Sequence, residues 1–176
     1  MSSMPSPRSL AQPAALLGAI LFLAACADRQ EPVAPATVRL SIVPGAAHGG
    51  HPFATPMTQE VTTTPPYQGD PDGSGSALIT VNPGQRELCW QLTVRGIALP
   101  ATAAHVHRAP SGVRGGIVVT LSPPDASGTS TGCAADLDRA LLQDILTSPE
   151  SFYVNVHTSE FPPGAVRGQL GGNSLV

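Results

Sequence analysis

Apolar and polar residues alternate with a period of two along most of this chain, the pattern of strands with one face turned to a core. Thr37-Val-Arg-Leu-Ser-Ile-Val43 puts Val38, Leu40 and Ile42 on one side and Arg39 and Ser41 on the other. Ser76 to Asn82 alternates through Ala77, Ile79 and Val81, and Glu87 to Val94 through Leu88, Trp90, Leu92 and Val94. The Pro83-Gly84 turn between them predicts an antiparallel hairpin. His105 to Arg108 and Gly116 to Leu121 read as two more strands around the loop Ala109 to Gly115. In Ser151 to Thr158, Phe152, Val154 and Val156 face one way and Tyr153, Asn155 and His157 the other; Ala165 to Leu170 is the last strand. Ala46 to Thr64, with its prolines and glycines, reads as irregular, and Gln68 to Gly75 as a turn cluster. One segment breaks the period: Ala135 to Leu146 spaces Leu137, Leu141, Leu142 and Ile145 as on a helix, between Asp136 and Pro149. About seven strands and one short helix predict an all-β fold, a Greek-key sandwich or barrel.

The N-terminus follows another rule. Arg8 precedes an apolar run from Ala14 to Ala25, about a dozen residues and too short to span a bilayer as a helix. Leu23-Ala24-Ala25-Cys26 closes that run and resembles the lipobox of bacterial lipoproteins, in which the cysteine becomes the first mature residue and carries lipid. The resemblance implies a signal peptide over residues 1–25, lipidation at Cys26 and stable attachment to a membrane. Asp28 stands one place later than the Asp that, by resemblance to lipoprotein sorting, retains such proteins at an inner membrane; this favours the outer membrane of the cell envelope. Residues 26–36, with Pro32 and Pro35 and no periodicity, read as a tether, 37–171 as the domain and 172–176 as a tail.

Composition excludes some partners. The chain has no Lys, and its nine basic residues are all Arg. Beyond residue 25, eight Arg stand against twelve acids, a balance of 8 − 12 = −4. Without a basic run, and with seven aromatic residues in all, nucleic acid is not an expected partner. No motif for a particular protein or small-ligand partner stands out.

With Cys26 assigned to lipid, Cys89 and Cys133 form an even pair in an oxidising compartment and predict a disulfide. No C-x-x-C spacing supports a thiolate metal site instead.

The candidate chemistry lies in histidines. On a strand, residues i and i+2 share a face, so Ala104-His-Val-His107 presents His105 and His107 side by side, a spacing that suits Zn²⁺ or Cu²⁺. His157, at the end of Tyr153-Val-Asn-Val-His-Thr158, supplies a third imidazole if the two strands are neighbours. The alternative is that these histidines anchor loops by hydrogen bonds. His48 and His51 are spare candidates in the irregular region. Arg167, between Gly164 and Gly168, is either buried against carbonyls or aimed at an anion. Asp70-Pro-Asp-Gly-Ser-Gly75 has the look of a calcium loop, but its twelfth position is Val81 rather than a carboxylate. No nucleophile elbow, P-loop or paired-carboxylate spacing is present.

Taken in order, these pieces resemble the CHRD domain, a module named from chordin: Glu60-Val61, Gly75-Ser-Ala77, Cys89-Trp-Gln-Leu92, Ala104-His-Val-His107, Gly112-Val-Arg-Gly115 with Ile117-Val-Val119, Tyr153-Val-Asn-Val-His-Thr158 and Pro163-Gly-Ala-Val-Arg-Gly-Gln-Leu170. The resemblance implies the fold more than the function; the leading expectation is a lipid-anchored binding or structural module, with a metal as a candidate ligand. A fainter likeness is to copper–zinc superoxide dismutase, also a Greek-key β-barrel with a His-Val-His strand, a later Val-His and an Arg near the last strand. That likeness implies a copper half-site at His105, His107 and His157, with Arg167 as anion guide, and a copper-dependent redox enzyme as the alternative function. This chain has no histidine between His107 and His157, so the bridging ligand and the zinc-loop histidines of that enzyme are missing.

Overall fold

The computed structural model describes residues 49–171. Cys26 and the segments expected as signal peptide, tether, first strand and tail lie outside the described residues, as does His48. The strands are β1 (His51–Gln59), β2 (Val61–Thr63), β3 (Pro66–Gln68), β4 (Ser74–Asn82), β5 (Glu87–Arg95), β6 (Ala103–Arg108), β7 (Gly116–Leu121), β8 (Thr129–Ala134), β9 (Phe152–His157) and β10 (Val166–Gln169), with one α-helix among the described residues, α1 (Arg139–Thr147), and a single 3-10 turn at Pro149–Ser151. Eight strands form one sheet in the order β7-β6-β9-β10-β1-β4-β5-β8, nearly closed into a barrel; β2 and β3 form a separate small hairpin. The expected all-β architecture is present.

The core is the inward half of the alternation. Ile79, Val81, Leu88, Leu92, Val106, Phe152, Val154 and Val156 are fully buried and pack with Trp90. α1 closes one end with Leu142 and Ile145. At Trp90 the cross-strand partner is Gly132, where a Cβ would strike the indole ring; the indole N–H donates to Ser130 Oγ at 3.1 Å. Cys89 pairs across the same ladder with Cys133, and the two form the expected disulfide.

Three sequence expectations change. Ala46 to Thr64 is not irregular: β1 runs nine residues against β4 and buries Phe53, Thr55 and Met57. Pro52 and Pro56 share one parity, so both missing donors fall on one edge of the strand, which a strand tolerates. β8 also escapes the alternation pattern, because Thr129-Ser-Thr-Gly-Cys-Ala134 carries almost no apolar bulk. The helix starts later than Asp136. Asp138 is its N-cap, accepting from the Ala140 N–H at 2.9 Å, whereas Asp136 adopts a positive φ of 56°.

Candidate metal centre

Strand pairing brings the three histidines together. β6 lies antiparallel to β9, with Ala103 opposite His157, His105 opposite Asn155 and His107 opposite Tyr153. The period-two rule then puts His105, His107, Tyr153, Asn155 and His157 on one face, opposite the core face of Val106, Val154 and Val156. β10 adds Arg167 across from Asn155.

Most of this polar face is buried, although it points away from the core; His105 is only half-buried. All six residues of β9 are buried, and the segments that return over it supply the cover. The loop Ala109 to Gly115 is pinned from below by Arg167, whose guanidinium donates to the carbonyls of Pro110 and Val113 and to Gln169 Oε1, each at 2.8 Å. At the far end of the loop, the Gly115 N–H donates to the Tyr153 hydroxyl at 3.2 Å. Gly115 approaches so closely that a Cβ there would collide with the Arg108 carbonyl. The β2–β3 hairpin joins the roof through the Thr63 N–H, which donates to the Gly112 carbonyl at 2.8 Å. Tyr153 is sandwiched, with the His107 ring stacked on it at 4.7 Å and the Arg167 guanidinium over it at 3.4 Å. Of the two expectations for Arg167, this geometry is that of a cation satisfied by carbonyls and an aromatic face.

The carbonyls also set the tautomers of two histidines. His107 Nδ1 lies 3.0 Å from the Gly115 carbonyl and His157 Nδ1 lies 2.8 Å from the Pro162 carbonyl. A carbonyl only accepts, so each Nδ1 carries the proton and each Nε2 is left with a lone pair. The His157 Nε2 lies 3.0 Å from His105 Nδ1, and the His107 Nε2 is buried without a partner. One donor nitrogen from each ring falls within 4.8 Å of the others. A tetrahedral ion with metal–nitrogen bonds of about 2.0–2.1 Å sets its donors about 3.3 Å apart, so closing on an ion needs side-chain shifts on the order of an ångström.

Burial keeps all three rings neutral. Desolvation, reinforced by His157 and His107, lowers the His105 pKa from 6.5 to about 4. Desolvation also lowers His107 and His157, partly offset by the hydrogen bonds to Gly115 and Pro162. Neutral imidazoles with carbonyl-fixed tautomers are the form that binds a metal.

Other sequence candidates stand apart. His51 is exposed at the start of β1, its ring 4.7 Å from Phe53. Asp70 closes its own turn by accepting from the Asp72 N–H at 3.1 Å, as a turn former does. Sequence reasoning passed over Asn155 and Glu60. Asn155 is 1% exposed, Glu60 is fully buried, and the Asn155 Nδ2–H donates to Glu60 Oε2 at 3.1 Å. Burial raises the Glu60 pKa, with Asn155, Arg167 and Arg114 opposing. The signal for Asn155 was its place between Tyr153 and His157 on the polar face; for Glu60 it was the Glu60-Val61 piece of the CHRD resemblance, to which no site role was given because it lies in a segment read as irregular.

No curated protein and no solved structure matches the chain. The family model for the CHRD domain matches residues 53–170, from within β1 to the residue after β10, and so takes in the whole histidine face. The chain belongs to the CHRD domain family.

Proposed function

We propose that this CHRD domain is a metal-binding module of the cell envelope, held at a membrane by lipid on Cys26, and that it takes one divalent copper or zinc ion at His105, His107 and His157. One observation carries the metal reading. The Gly115 and Pro162 carbonyls turn the Nε2 lone pairs of His107 and His157 toward the site, and the His107 Nε2 is buried with nothing to accept from. Loop anchoring accounts for the Nδ1 atoms alone; a buried acceptor left bare costs about 1–3 kcal/mol, and an ion removes that cost. Metal bound here would crosslink β6 to β9 and stabilise the roof. The copper redox alternative further requires an open coordination position and a route for substrate past the roof, and no observation among the described residues favours it over binding.

The test is titration of the full-length, untagged protein in detergent with Cu²⁺ and Zn²⁺. Saturable uptake of one ion per chain is expected, and His107→Ala should weaken it by more than the roughly 10–100-fold typical of outer-shell changes. A wild-type protein that takes up neither ion at micromolar concentration would overturn the reading, as would a variant that binds equally well. The anchor is tested separately: Cys26→Ser should leave the detergent phase.

A further inference from the structure

Behind the histidines runs a short file of buried acceptors. The Asn155 amide gives its N–H to Glu60 Oε2 at 3.1 Å, so its oxygen turns the other way, toward His107. His107 in turn gives its Nδ1 proton to Gly115. Of the four buried side-chain atoms left without a hydrogen-bond partner among the described residues, three belong here, His107 Nε2, Asn155 Oδ1 and Glu60 Oε1; the fourth is Thr55 Oγ1 on β1. All three are acceptors when His107 is neutral and Glu60 ionised, and they belong to side chains at least nine-tenths buried. Buried acceptors left without a donor are stabilised by a nearby cation. Arg167 does not fill that role by contact, since its hydrogen bonds go to Pro110, Val113 and Gln169. The position of Glu60 is tightly set: a Cβ on Gly164 would collide with its carboxylate.

We propose that Glu60, acting through Asn155, is the counter-charge of the histidine site and makes that site prefer a divalent ion over a monovalent one. The proposal rests on the metal-binding reading above and adds to it the charge class of the ion. Three neutral imidazoles bring no charge of their own to balance the ion. A buried carboxylate one residue behind them does, and its Coulomb attraction grows in proportion to the charge of the ion. Glu60 is here a positioning residue: it touches Asn155, not the ion.

The proportionality makes the test quantitative. Binding of Cu²⁺, Zn²⁺ and, under reducing anaerobic conditions, Cu⁺ is measured for the full-length protein and for Glu60→Gln, which keeps the shape and removes the charge. Loss of an outer-shell partner costs about 10–100-fold in metal affinity. If charge is the cause, a dication loses that whole factor and a monocation about its square root, roughly 3–10-fold. The ratio of Cu²⁺ to Cu⁺ affinity should therefore fall by about 3–10-fold in E60Q. A purely structural Glu60 would weaken all three ions alike or none, and either result overturns the proposal. Where E60Q does not fold, Glu60→Asp decides: it keeps the charge, so its Cu²⁺/Cu⁺ ratio should match wild type, and a ratio that drops overturns the proposal. Failure of wild-type protein to bind any of the ions overturns the underlying reading instead, so the two failures are distinct.

Discussion

β5 and β9 are both interior strands of the same sheet, with matching inner faces and opposite outer ones. Inside, β5 contributes Leu88, Trp90, Leu92 and Val94, and β9 contributes Phe152, Val154 and Val156, all buried. Outside, Gln91, Thr93 and Arg95 of β5 are exposed, whereas Tyr153, Asn155 and His157 of β9 are buried. The strands themselves do not make the difference. Among the described residues, the chain returns over β9 as the loop Ala109 to Gly115, the β2–β3 hairpin and the turn before β10, and none of them returns over the outer face of β5 in this way. A polar face left to water finds its hydrogen bonds there; a roofed polar face must find them in the protein. Among the described residues, three of the four buried side-chain atoms still bare, on His107, Asn155 and Glu60, belong to this face and its cover; the fourth is Thr55 Oγ1 on β1. That concentration is what distinguishes a site from a second core.

The comparison can be broken from the inside first. Phe152→Ala removes a fully buried ring from the inner face of β9, and its cost in denaturant unfolding is expected to be about 3–5 kcal/mol. A loss below about 1 kcal/mol would mean that the inner faces are not equivalent. Next in size is the staple on β5. Cys89 and Cys133 are 44 residues apart, and chain entropy assigns their bond on the order of 4 kcal/mol. The Cys89→Ala/Cys133→Ala pair should lose up to that amount of stability while metal uptake at β6 and β9 stays within about twofold, since the two regions share no partner.

Acid should act on the outer face of β9 and not on that of β5. Each of the three histidines has a folded pKa below its ordinary value, so the native state holds fewer protons than the unfolded one in that window. Stability from this source is complete above the unfolded value of 6.5 and is lost as pH falls toward the folded value, about 4 for His105. Metal uptake should fall over the lower part of the same range, because protons compete only once the folded rings titrate. Tm measured from pH 7.5 downward checks this, and a His105→Asn protein with an unchanged slope would remove His105 as a contributor. The smallest effect belongs to the exposed face of β5: Gln91→Ala should stay within about 0.5 kcal/mol of wild type, against about 1–3 kcal/mol for Asn155→Ala, which strands the Glu60 carboxylate.

Much of this was legible in the chain. Alternation alone determined the β4–β5 hairpin, the strands that became β6, β7, β9 and β10, and the two faces of β9, because a period of two maps directly onto the pleat. The same-face pair His105 and His107 was readable for an equally local reason, and the Cys89–Cys133 pair from the count of cysteines once Cys26 was assigned to lipid. β1 and β8 were not, because prolines in one and small polar residues in the other mask the pattern, and only pairing with β4 and β5 holds them extended. Tertiary structure alone decided that β6 lies against β9, so that His157 joins the other two, and that loops distant in sequence bury a face whose residues read as polar. It also decided the tautomers and the placement of Glu60 behind Asn155. The physical reason is one of range. A side chain's direction along its own strand is set by neighbours two residues away, but its burial and hydrogen-bond partners are set by whichever segments the topology brings back over it.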